Sequence, residues 1–371
     1  MKNPTVSWLL LVAAAMSAIT VQAADIIIGQ STPLTGANAE LGRDIRNGAR
    51  AYFEKINAAG GVNGHKINFV SLNDKNETAL SAENTKKLLG EHHAVALFGY
   101  ASATLSIPAM PFVKEAKAPF FAPFTGADTI RKQNDFVYTI RATYNDEIEK
   151  IINFWGSLGS TRVTVLHYDD AVGKQNFETV AKALQKFGKQ PTGISIKRNA
   201  ELPEDVIGKI IESNPQIIVV TTLYAPAAQM VKLLRAANKP YMVTGLSFMG
   251  ASQLAKELGP DAAGISVGMT VPTAKSLNIP IIKECVDALT TLGQKETMSV
   301  TAIESCIAAK VLVEGMRKAG KEVTRESLQR ALSALGKVDV GGHVIEFKPG
   351  FHHGGKFIDI GVILANGELR S

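Results

Sequence analysis

The chain has 371 residues, 46% of them hydrophobic, 20% charged and 6% aromatic, which is a globular composition and excludes a disordered or collagen-like one. Its length suits about two domains at roughly 100–200 residues each, large enough to hold cores without staples. The formal charge is +6, with Lys and Arg scattered, and there are two cysteines; this argues against a nucleic-acid footprint, a disulfide-dense scaffold and a four-cysteine zinc site.

Lys2, the apolar stretch Trp8 to Val21 and the small-residue site Val21-Gln22-Ala23 read as a secretory signal peptide spanning 1–23. The apolar run is shorter than the ~20 residues a membrane-spanning helix needs. No cysteine lies near the cut, so a lipid anchor has no attachment point. Export to a periplasm follows as the expectation. It also makes a disulfide chemically possible, and Cys285 with Cys306 is the candidate pair; a bridge and two buried thiols both stay open.

Ile26-Ile27-Ile28 is a short buried-strand run followed by a polar loop, Ser31–Asn38. Leu41, Ile45, Ala49, Tyr52/Phe53 and Ile56 then recur every three to four residues, the face of a helix that Gly60-Gly61 stops. Strands are expected at 67–72, 94–98 and 120–122, with helices at 77–89 and 104–116. The alternation resumes with strands at 163–167, 192–196, 217–222 and 241–244, and helices at 174–187, 206–212 and 227–237. A mainly helical stretch, 280–334, precedes strand-like segments at 343–347 and 357–364. Alternation of this kind predicts βαβ units and parallel sheets covered on both faces, in two blocks, 24–143 and 144–270.

Nucleotide-binding loops of the Gly-x-Gly-x-x-Gly or Gly-Lys-Ser/Thr kind do not occur, and the seven histidines show no ligand spacing, so neither a cofactor nor a metal is expected. Gly264-Ile265-Ser266-Val267-Gly268 matches Gly-x-Ser-x-Gly. It runs into Met269-Thr270-Val271-Pro272, which is extended and Pro-terminated, so Ser266 reads as part of a strand and not as the nucleophile of a hydrolase. The stronger signal is positional: ligands bind beyond the carboxyl ends of parallel strands. The loops there are 31–38, 99–104, 123–127, 168–172, 223–226 and 245–250. Ser102-Ala103-Thr104 leads straight into a helix, and N–H groups and hydroxyls there suit a carboxylate.

The strings Gly29-Gln30-Ser31-Thr32-Pro33-Leu34-Thr35-Gly36, Gly48-Ala49, and Ile56-Asn57-Ala58-Ala59-Gly60-Gly61-Val62-Asn63-Gly64 resemble the leucine/isoleucine/valine-binding family of periplasmic solute receptors. So do Asn73-Asp74, Pro123-Phe124-Thr125-Gly126-Ala127, Gln229-to-Ala237 and Leu246-Ser247-Phe248. The resemblance covers essentially all of the chain after residue 23. It implies an α/β fold of two doubly wound parallel-sheet lobes joined by a three-crossover hinge. Lobe 1 would hold 24–143 plus 271–345, and lobe 2 would hold 144–270 plus 346–371. It further implies a non-enzymatic monomer that closes on a small solute and is read by an ATP-binding-cassette (ABC) inner-membrane permease. An extracytoplasmic sensor of the same fold is the alternative.

Carried across by position, the family's carboxylate loops fall on Ser102, Ala103 and Thr104 and on Phe124, Thr125 and Gly126. A family serine falls on Ala103, leaving Ser102 or Thr104 to substitute. An aromatic wall falls on Leu41, and the other lobe's wall falls near Leu223 or Tyr224. The acid that meets the ligand ammonium falls near Ser247, which cannot neutralise a buried charge; Asp169, Asp170 and Glu304 are the nearby acids. A branched-chain amino acid, a carboxylate without an amino group, and an amide are the solutes this leaves.

Overall fold

The structure, a computed structural model, describes residues 24–36, 38–131, 135–293 and 298–371. The expected signal peptide, 1–23, lies outside the described residues. The first sheet contains β1 (Ile26–Thr32), β2 (Ile67–Asn73), β3 (Ala96–Phe98), β4 (Phe120–Phe121) and β5 (Val137–Tyr138) in the order β2-β1-β3-β4-β5, all parallel. Between them run α1 (Ala39–Ala58), α2 (Thr78–Gly90), α3 (Ala103–Ser106), α4 (Met110–Ala116) and α5 (Asp128–Arg131).

The chain then enters a second sheet with β6 (Val163–Tyr168), β7 (Thr192–Ile196), β8 (Ile217–Thr221), β9 (Met242–Gly245) and β10 (Ser266–Met269). Its helices are α6 (Tyr144–Ser157), α7 (Ala171–Leu184), α8 (Asp205–Glu212), α9 (Tyr224–Ala236) and α10 (Ala251–Leu258). The chain returns to the first lobe for α11 (Pro280–Thr291), α12 (Val300–Ala319) and α13 (Arg325–Ser333), and for the ribbon β11 (Gly336–Asp339) with β12 (Val344–Phe347). It ends on β13 (Asp359–Ile363) and β14 (Leu369–Arg370), which add to the second sheet antiparallel, beside β10. The second sheet therefore runs β14-β13-β10-β9-β8-β6-β7. Both sheets show the doubly wound strand order, and each reverses direction of growth at its first strand, the place where such sheets open a crevice.

The first lobe's core joins Phe53, Phe69 and Phe98 edge to face, and Phe121, Tyr138 and Phe347 continue the stack. Helix α12 lies against α1 so closely that a Cβ at Gly48 would stand 2.1 Å from the carbonyl oxygen of Ala302. Cys285 on α11 and Cys306 on α12 are disulfide-bonded, with Cα atoms 5.8 Å apart, which settles the question their spacing left open.

Some expectations change in detail. The helix expected over 104–116 is broken into α3, a tight turn at 107–109 and α4, because Pro108 and Pro111 each remove a backbone donor. The strand expected over 120–122 stops at Phe121, since Ala122 is left-handed (φ 48°). The last crossing, expected after residue 345, comes later in the chain, since that point lies within β12: Phe347 belongs to the first lobe's core, His352 stacks on Tyr138, and Gly354 N–H donates to the Thr139 carbonyl at 2.9 Å. The chain leaves this lobe only after Gly355, which lies directly against Ile140. Among the described residues, no helix is long and apolar enough to cross a membrane, and no group of three or more His, Cys, Asp or Glu is placed to hold a metal.

Candidate functional site

The loops beyond the strand ends of both sheets meet between the lobes. They close over a narrow gap, with free space of only about 10 Å³, lined by Ser102, Ala103 and Thr104 from the first lobe. From the second come Tyr168 at the end of β6, Asp170 after it and Val172 in α7, Arg198 after β7, Leu223 after β8 and Phe248 after β9, with Tyr144 from α6. In this closed arrangement the gap has room for about one water, so a solute enters only as the lobes part. The lining holds both polar and apolar side chains.

Direct contacts hold the lobes together around it. Thr104 Oγ donates to Asp170 Oδ2 at 3.2 Å and accepts from Arg198 Nη2 at 3.0 Å. At the rim, the Asn76 amide donates to the Asn199 side-chain oxygen (2.6 Å), and the Asn199 amide donates to the Asn76 carbonyl (2.8 Å). Elsewhere on the interface, Gln253 donates to Asp44 at 2.6 Å, and Lys256 pairs with Glu40 at 3.3 Å.

Asp44 sits on α1, buried between the lobes. Burial pushes its carboxyl up to about 6 from a usual 3.8, against the hydrogen bonds of Ser299 and Gln253. A raised folded-state value means the associated stability is fully present below about pH 3.8 and is lost as pH rises through about 6. Asp44→Asn keeps an acceptor for Gln253, so it should match the wild type near pH 4 and exceed its stability above pH 6, on the order of 1 kcal/mol or more. Urea unfolding at the two pH values checks this; equal offsets at both would contradict it.

The sequence-named residues divide between two places. Ser102, Ala103 and Thr104 line the cavity, and Ser102 also caps α3 by accepting from Leu105 N–H at 3.2 Å. Phe124, Thr125 and Gly126 are not part of that lining. Thr125 hydrogen-bonds the Tyr144 hydroxyl, the Gly126 carbonyl accepts from Tyr144 N–H at 3.0 Å, and a Cβ at Gly126 would strike the Tyr144 ring at 2.6 Å. These two residues position a wall residue. Phe124 lies under the Arg141 guanidinium, 4.2 Å from ring centroid to the central carbon. Leu41 is fully buried beside Gly250, away from the cavity. Leu223 supplies the wall, whereas the Tyr224 hydroxyl turns to the backbone of Glu40. Asp169 pairs on the surface with Lys174.

Ser247 belongs to a buried network at the hinge. Its N–H and Oγ donate to the two oxygens of Glu147 at 2.8 Å each, and its Oγ accepts from Arg141 Nη2 at 2.8 Å. Arg141 sits in the first crossover and pairs with Glu304 of α12, Nε to Oε1 at 2.9 Å. Thr270 donates to Glu304 and accepts from Arg141. Glu304 is thus a hinge carboxylate, and the acid that faces Ser247 is Glu147. Burial raises both carboxyls, while Arg141 lowers each in part. Burial works against the Arg141 charge, but the two acids outweigh it and hold the guanidinium above its usual value.

Arg141, Tyr144, Glu147, Tyr168, Arg198 and Phe248 were not read as site residues from the sequence. Arg141 and Tyr144 fall in the expected crossover, and Tyr168 and Phe248 in two of the expected loops. Glu147 falls on a helix, and Arg198 sits in a polar turn that carries no such signal. Ser266 is in β10, buried, donating to Thr244 Oγ at 2.8 Å.

A model of the periplasmic binding protein family matches residues 25–363. An amino acid binding protein of Pseudomonas aeruginosa is 26% identical over 61% of this chain and 61% of its own, so the chain spans less than two thirds of that relative. A solved structure from Rhodopirellula baltica, a possible leucine/isoleucine/valine-binding protein, superposes with TM-score 0.90 at 27% identity, covering 95% of this chain and 98% of that one. A substrate-binding periplasmic protein from Ralstonia solanacearum gives 0.88 at 32% identity, covering 93% and 99%. The family and these neighbours are solute-binding proteins, not enzymes. With this match and this two-lobed architecture, the chain belongs to the periplasmic binding protein family and is of the leucine/isoleucine/valine-binding type.

Proposed function

We propose that the protein is a monomeric periplasmic receptor that captures a small carboxylate-bearing solute between its lobes and presents the closed form to an ABC-type permease in the inner membrane. The observation that carries this reading is the closed interlobe cleft, where loops from the strand ends of both sheets meet. The hydroxyls of Ser102, Thr104 and Thr221 and the guanidinium of Arg198 line it together with Tyr144, Val172, Leu223 and Phe248. The solute class takes in branched-chain amino acids and the related acids and amides, and the names of the relatives support it. A solute held by both lobes favours closure through the contacts it makes only in that state.

Ligand binding to the folded protein alone stabilises it by about 2.7 kcal/mol at a hundred times Kd. A thermal-melting screen of amino acids, organic acids and amides is therefore expected to show a saturable rise for one chemical class, with no solute consumed. No rise across the whole panel would remove the receptor reading.

A further inference from the structure

We propose that Arg198 is the carboxylate anchor of the cleft, and that the solute is a small apolar monocarboxylate without a charged amine. This deepens the receptor reading above and rests on it.

Arg198 follows β7 in a turn, Lys197-Arg198-Asn199-Ala200, whose composition is that of an ordinary solvated loop. Its side chain nevertheless turns inward and is 15% exposed, with the guanidinium 3.9 Å from the centre of the Tyr168 ring. Nη2 is spent on Asp170 Oδ2 at 2.9 Å and Thr104 Oγ at 3.0 Å. Nε and Nη1 are shielded from solvent and have no protein partner. A guanidinium offers five N–H donors, and leaving donors of a buried cation unmet is costly. The cavity that Arg198 lines also carries the hydroxyls of Ser102, Thr104 and Thr221. A negatively charged acceptor admitted as the lobes part meets these unpaired donors.

Asp170 does not use up the Arg198 charge. Its Oδ1 caps α7, accepting from Gly173 N–H at 2.8 Å, so part of its charge faces the positive end of a 14-residue helix. The same commitments show what the cavity lacks. Among the described residues Asp170 is the one acid in the lining, and its two oxygens already accept from Gly173, Thr104 and Arg198. Glu147 is bound to Ser247 and Glu304 to Arg141 and Thr270, and neither lines this cavity. A ligand ammonium would enter beside a guanidinium with no carboxylate to pair it, a buried unpaired charge. The remaining wall is apolar, which suits a branched aliphatic or aromatic body.

The test uses the purified full-length secreted form and calorimetry with 3-methylbutanoate, benzoate, the two corresponding amides, and leucine. At least one acid is expected to bind about tenfold or more tightly than its own amide and than leucine, the size of a charge-assisted hydrogen bond. Arg198→Gln should collapse the acid-to-amide ratio, and Arg198→Lys, which keeps the charge but loses the planar donor set, should reduce it. Asn76→Ala loosens the rim contact and should weaken acid and amide by the same factor. Leucine binding tighter than 3-methylbutanoate, or an acid-to-amide ratio that both Arg198 variants leave intact at wild-type melting temperature, overturns the Arg198 assignment while the receptor reading stands. If no acid, amide or amino acid binds, the receptor reading falls with it.

Discussion

Glu304→Ala is expected to destabilise the protein by about 3–5 kcal/mol, the size seen when one partner of a buried ion pair is removed. The cost comes from what stays behind. Arg141 is 1% exposed, in a crossover whose backbone is itself pinned: Arg131 Nη2 donates to the carbonyls of Arg141 and Ala142 at 2.6 and 2.9 Å. The guanidinium therefore has no path to water when Glu304 is gone. Glu147 remains within electrostatic reach, but its oxygens are already taken by Ser247. Removing both charges, as Arg141→Met with Glu304→Leu, should cost less than the single change, because no stranded charge remains. Urea unfolding of Glu304→Ala, of the singles Arg141→Met and Glu304→Leu, and of the double variant checks this. A double variant at least as unstable as the sum of the singles would show that the network is not governed by charge pairing. Because it links the first crossover, the second-lobe loop at Ser247, Thr270 and α12, the double variant should also bind solute more weakly.

Replacing Cys285 and Cys306 by serine is expected to cost about 3 kcal/mol, from a loop closed across a sequence separation of 21. Both cysteines are fully buried in the layer where α11 and α12 cover the first sheet, so two hydroxyls are also left in an apolar core. The bridge stands away from the cavity lining, and solute affinity should change little. Chemical unfolding with and without a reductant reads the effect: the wild type should fall toward the variant when reduced. A wild type indifferent to reductant would contradict it.

Much of the fold was legible because helix and strand periods are local properties. The helix face of Leu41, Ile45, Ala49 and Ile56 and the buried run at Ile217 each carry their own signal, and alternation of the two kinds forces parallel sheets. Ser102, Ala103 and Thr104 were legible for the same reason, as a strand end turning into a helix. What was not legible depends on pairing across distance. Nothing around Arg198 distinguishes it from a surface arginine until Tyr168, Asp170 and Thr104 come to it from three other segments. Glu147 looks like any first-turn helix acid, and only the fold brings Ser247 to it. The position of the last crossing failed for a related reason: Phe347 reads the same in either lobe, and its packing on Phe121 and Tyr138 decides which it joins.

Small-angle scattering during titration with the tightest solute of the acid panel probes the hinged clamp most directly. The radius of gyration should fall as solute is added and stop changing at one equivalent per chain, because Thr104 of the first lobe meets Asp170 and Arg198 of the second only when the lobes are shut. A radius that stays constant while calorimetry records stoichiometric binding would contradict closure around the solute.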